Sequence, residues 1–73
     1  MDRRMILSQV AQAEMQVAVS EEFVTRQREI VDALRRRGAD TTAAKELLQT
    51  FEQVEAAHLA DLDRLRAELA QAT

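Results

Sequence analysis

Arg35-Arg36-Arg37-Gly38-Ala39-Asp40-Thr41-Thr42 is the stretch whose reading decides the fold. Gly38 is the only glycine in a 73-residue chain that has no proline, and it sits near the midpoint between two long helix-like segments. The three arginines complement the negative end of a first helix, and the glycine can take positive φ as its stop residue. Asp40, with Thr41 as the close alternative, can accept hydrogen bonds from the first amides of a second helix. Neither has a capping-box partner. The chain therefore reads as one all-α domain over residues 1–73, an antiparallel two-helix hairpin resembling a coiled coil. Helix one is expected over about residues 2–37, the turn over 38–40 and helix two over 41–71. The competing geometry is a continuous helix through Gly38, since one glycine costs only about 1 kcal/mol there. Two such rods, each about 100 Å long, would pair by exchanging halves. Asp40 and the threonines disfavour it.

Moving outward from the turn, the first half carries Ile6, Val10, Ala13, Val17, Ser20, Val24, Gln27, Val31 and Leu34 at alternating spacings of four and three. The second half carries Ala44, Leu48, Phe51, Glu55, His58, Leu62, Leu65, Leu69 and Ala72 at the same alternation. A period of 3.5 sustained this long implies left-handed packing of each seam against a facing helix. Each helix of roughly 30 residues would be about 45 Å long. Folding the chain about Gly38 and Ala39 sets Val24 near Val54, Gln27 near Phe51 and Ser20 near His58. The last pair brings two polar interruptions to one level, with Glu55 one turn away. Such partners satisfy each other, whereas a lone buried polar group costs about 1–3 kcal/mol.

Beside the seams, Phe23, Ile30, Leu47 and Val54 widen the apolar stripes beyond what two helices need, and further round the first helix Met5, Leu7, Met15 and Val19 make its N-terminal half apolar on more than one face. Size points the same way. A domain this small buries about 60% of its unfolded surface and gains about 3–5 kcal/mol from its own core. The chain has no cysteine and one histidine, so neither a disulfide nor a structural zinc can staple it. Oligomerisation is the remaining common device, and the expected assembly is a homodimer forming a four-helix bundle. The wide stripes are its expected interface. A different helical protein would compete for the same residues, with the methionines as adaptable contacts.

The stretch from Gly38 to Leu69, and within it Gly38-Ala39-Asp40-Thr41-Thr42, Leu47-Leu48, Phe51-Glu52 and His58-Leu59-Ala60-Asp61-Leu62-Asp63-Arg64-Leu65, resembles a widespread group of short uncharacterised proteobacterial helical-hairpin proteins. The resemblance implies a bacterial, cytoplasmic setting and carries over no activity and no catalytic residue. Where that group often reads Asp-Arg-Asp-Arg, Leu62 adds a seam residue here.

Chemistry is sparse. His58 is of the residue type that switches charge near neutral pH, and its preferred reading is a seam residue hydrogen-bonded to Ser20 or Glu55. One imidazole with one carboxylate falls short of a zinc site. Glu21-Glu22 and Asp61/Asp63 read as solvated helix surface, because paired-carboxylate chemistry needs a walled cleft. No glycine-rich phosphate loop or nucleophile elbow occurs. The chain reads as non-enzymatic, without a cofactor. The net charge of −3 and its mixed helix faces argue against membrane binding and against nucleic-acid binding through overall charge. No N-terminal apolar run is long enough for a signal peptide or a spanning helix, which suits a cytoplasmic protein. The rival reading is a regulator of the ROP-type four-helix-bundle architecture that contacts RNA or DNA. Its patch would be Arg26, Arg28, Arg35, Arg36, Arg37 and Lys45 at the turn end. Interleaved acids, with expected pairs Asp32–Arg36 and Arg28–Asp32, and the absence of tyrosine and tryptophan weigh against it.

Overall fold

The computed structural model describes residues 2–72. Helix α1 runs Arg3–Arg36 and helix α2 runs Thr42–Gln71; together they form an antiparallel hairpin, and the described residues hold no strand. The rod measures 57 × 14 × 13 Å. Asp2 begins it, its carboxylate accepting from the Arg4 amide at 3.2 Å while its carbonyl accepts the Met5 and Ile6 amides.

Gly38 holds φ +70° and is the sole described residue with positive φ. Its amide donates to the Arg35 carbonyl and the Ala39 amide to the Leu34 carbonyl, both at 3.0 Å. That pair of bonds is the Schellman closure, which satisfies carbonyls the helix would otherwise leave open. Arg35 and Arg36 occupy the last turn of α1, where their charge complements the helix dipole. The start of α2 differs from expectation by one residue. Thr41 takes the cap position, but with ψ of 1° its side chain makes no capping bond. Asp40 does that work from one residue earlier, accepting from the Thr42 amide at 3.0 Å and the Thr42 hydroxyl at 2.7 Å. Those bonds, the backbone one foremost, hold the Asp40 carboxyl below its ordinary value of 3.8.

Every expected seam position of α1 from Ile6 to Val31 is buried, and Leu34 is half-buried. On α2 only Leu62 and Leu65 are buried, while Ala44, Leu48, Phe51, Glu55, His58, Leu69 and Ala72 are half-buried. The one cluster of buried apolar residues that spans both helices lies toward the open end, where Ile6, Val10, Ala13 and Val17 close on Leu62 and Leu65 with Leu69 and Ala72 beside them. No described side chain is completely sealed, because two helices enclose a core only one layer deep.

Two side-chain contacts in the turn half differ from expectation. Gln27, expected near Phe51, instead donates its amide to the Ala44 carbonyl at 2.9 Å, and Phe51 meets Phe23 with ring centroids 5.3 Å apart.

Two outcomes follow for the turn. A Cβ at Gly38 would meet nothing within 4 Å, so substitution costs only the positive-φ penalty, about 1–2 kcal/mol for a non-glycine residue. Thermal melts should rank Gly38→Asn above Gly38→Ala and Gly38→Val lowest; a Gly38→Val protein melting with the wild type contradicts the turn. A carboxyl whose folded pKa lies below its unfolded value stabilises fully above the unfolded value, and that stabilisation is lost as pH falls through the folded one. Asp40→Asn keeps an acceptor and removes the titration, so its melting temperature should fall less than that of the wild type on acidification below about pH 5. Parallel acid profiles would contradict this role.

Candidate interaction surface

The hairpin has two unlike flanks. On one, Arg28 pairs with Glu52 at 3.1 Å and Arg66 with Glu14 at 3.5 Å, so ion pairs bridge α1 to α2 along the rod. On the other, Met15, Val19 and Phe23 of α1 and Phe51, Val54 and His58 of α2 line a groove of about 450 Å³. The tilted Phe23–Phe51 pair, 43° between planes, forms its floor, and Phe23 remains 49% exposed. Edge-on and tilted ring pairs of this kind are favourable beyond their buried area.

All eight apolar residues expected outside the seams are exposed, and they lie on more than one face. Met15, Val19, Phe23 and Val54 share the groove. Ile30 lies one heptad beyond Phe23, and Leu47 one heptad before Val54, so they prolong the same flank toward the turn. Met5 lies two heptads before Val19, beyond a polar stretch where Gln9, Gln12 and Gln16 line a groove with Asp61 and Arg64. Leu7 stands one heptad from Glu14 and belongs to the ion-paired flank. Exposed Leu59 was not among the expected residues; it sits between Glu52 and Arg66 at heptad spacing, isolated on that same flank. Phe51, a seam residue, is half-buried and also lines the groove.

Ser20 is buried and shares the groove with half-buried His58, while Glu55 is half-buried. No hydrogen bond joins Ser20 to His58 or His58 to Glu55 among the described residues, in contrast to the expected polar layer. The groove opens to solvent at that level, and no described buried side-chain nitrogen or oxygen lacks a partner. The seam's buried polar bond is made by Gln27 instead.

The six basic residues near the turn are not one face. Arg26 and Arg28, two apart on a helix, point about 200° from each other, and Arg28 is spent on Glu52. Asp32 pairs with Arg35 at 3.5 Å, replacing the expected pairs with Arg36 and Arg28, because Arg28 finds Glu52 across the hairpin. Arg26, Arg36, Arg37 and Lys45 make no ion pair among the described residues. Toward the open end Arg64 is held between Asp61 and Glu68, which raises its pKa further.

Among the described residues there is no cluster of three or more histidine, cysteine or acidic side chains able to hold a metal. No helix of the described residues is long and apolar enough to cross a membrane. Of the two grooves, the one lined by Gln9, Gln12, Gln16, Asp61 and Arg64 is polar, and the one over Phe23 and Phe51 offers apolar contact area. No family model, curated protein or solved structure compared with the chain matches it.

Proposed function

We propose that the chain is a non-enzymatic association module that acts by pairing with a second copy of itself into a four-helix bundle, as a small regulator or adaptor in a cytoplasmic, bacterial setting. The observation that carries this reading is the flank bearing Val19, Phe23, Ile30, Leu47 and Val54. All five are 45–49% exposed; Val19, Phe23 and Val54 line one groove with half-buried Phe51, and Ile30 and Leu47 continue the flank at heptad spacing. Contiguous apolar surface of this kind marks an interaction site rather than ordinary exposure. The hairpin's own core is one layer deep, so a second layer laid on this flank supplies the burial that a chain of this size lacks.

A second reading, contact with RNA or DNA through the turn end, is favoured by Arg26, Arg36, Arg37 and Lys45 having no ion-pair partner among the described residues. Glu29, Asp32, Asp40 and Glu46 stand among them, which weakens the field.

Sedimentation equilibrium should give the mass of two chains, and the melting temperature should rise with protein concentration. Phe23→Glu should weaken the dimer more than about tenfold, since it sets a charge in the centre of the contact. A single-chain mass with a concentration-independent melt contradicts the module. For the second reading, a gel shift at low salt that vanishes steeply with added salt is the required result, and absence of any shift at low salt removes it.

A further inference from the structure

We infer that pairing of two hairpins is proton-linked through His58: the pair forms from hairpins whose His58 is neutral, and it is driven apart as pH falls through the histidine range, about pH 8 to 5. This regulation rests on the self-association proposed above and acts on the same groove.

His58 is the chain's single histidine and is half-buried on α2. It lines the apolar groove with Val19, Phe23 and Val54, so a second hairpin seated on those residues takes its imidazole out of water. Among the described residues no other titratable side chain lines that groove, and its polar members Gln16, Ser20 and Thr50 are neutral. The Thr50 hydroxyl already donates to the Glu46 carbonyl. A neutral imidazole has one donor and one acceptor, and the hydroxyl of buried Ser20 can answer either. An imidazolium brings two donors and a full charge, with no carboxylate in the lining to pair with it. Sealing that charge into an apolar groove costs far more than sealing the neutral ring, so protonation opposes pairing.

The charged groups around His58 stand outside the groove. On α2, Glu55 lies one turn before it, and Asp61 lies one turn beyond it, paired with Arg64 beside the polar groove. On α1, Glu21 and Glu22 follow Ser20 but are exposed on the outer side beside Ala18 and Thr25, and Glu14 is paired with Arg66. Their attraction for an imidazolium is present in the single hairpin as well as in the pair, whereas the loss of water is confined to the pair. Protonated hairpins must therefore release protons to pair, and by linkage added protons oppose the step. The affinity is full on the alkaline side of the histidine range and falls as pH drops through it.

Sedimentation equilibrium of the full chain at pH 7.5 and at pH 5.5 tests this. The dimer dissociation constant of the wild type should rise more than about tenfold on acidification, since each of the two chains contributes an imidazole. His58→Gln and His58→Leu, which cannot take up a proton there, should hold theirs within about threefold. A wild type equally tight at both pH values, or variants that weaken as much as it does, overturns the inference alone. Because the chain has one histidine, proton NMR of the wild type gives a second reading without any substitution. The titration midpoint of that imidazole should fall as protein concentration is raised from mostly single to mostly paired hairpins, and a midpoint independent of concentration overturns the inference. A single-chain mass at pH 7.5 overturns the self-association reading and the inference with it.

Discussion

Gly38 holds its positive φ because two backbone bonds, Gly38 to Arg35 and Ala39 to Leu34, close the end of α1 at that point. Reversal there brings two heptad seams face to face, and the rest of the structure depends on that geometry. A hairpin has one seam per helix and nothing to cover its sides, so any apolar width beyond the seam stays exposed. The chain gathers such width on one flank, while on the other Leu7 and Leu59 are exposed. The other flank is crossed by Arg28–Glu52 and Glu14–Arg66, pairs that keep it solvated and each contribute little to stability at their degree of exposure.

How much of this was legible in the sequence depends on whether the signal was local. The helix stop at Gly38 and the seam positions Ile6 to Val31 follow from residue type and period, and the structure buries those α1 positions. Side chains that reach across were less legible. Gln27 finds Ala44 instead of the Phe51 level, and Arg28 chooses Glu52 over Asp32, because both side chains are long enough to reach several acceptors and residue type alone does not choose among them. The cap is another such case: Asp40 provides the bond while Thr41 occupies the position. The exposed apolar residues were visible as a set from excess hydrophobicity. That they occupy more than one face was legible too, but not which flank each joins, since Leu7 separates from Val19 and Phe23 only once the angular position of each is fixed against the partner helix.

The two flanks also explain why the polar interruptions have different fates. Gln27 lies where the seam is closed, and a buried amide there must find an acceptor, which Ala44 supplies. Ser20 and His58 lie where Phe23 and Phe51 hold the groove open, so water can serve them and no side-chain bond between them is required. The same opening that relieves the polar groups leaves the phenylalanines half uncovered. Covering them by a second hairpin would seal the groove over Ser20 and His58.

The central claim is that this hairpin is half of a pair whose members lie alongside one another. Small-angle X-ray scattering with an absolute mass scale addresses it in one measurement. Side-by-side pairing of hairpins predicts twice the 8.3 kDa chain mass with a longest dimension little greater than the 57 Å backbone extent of one rod. A single-chain mass, or a two-chain particle about 100 Å long as expected for helices running straight through Gly38, would contradict it.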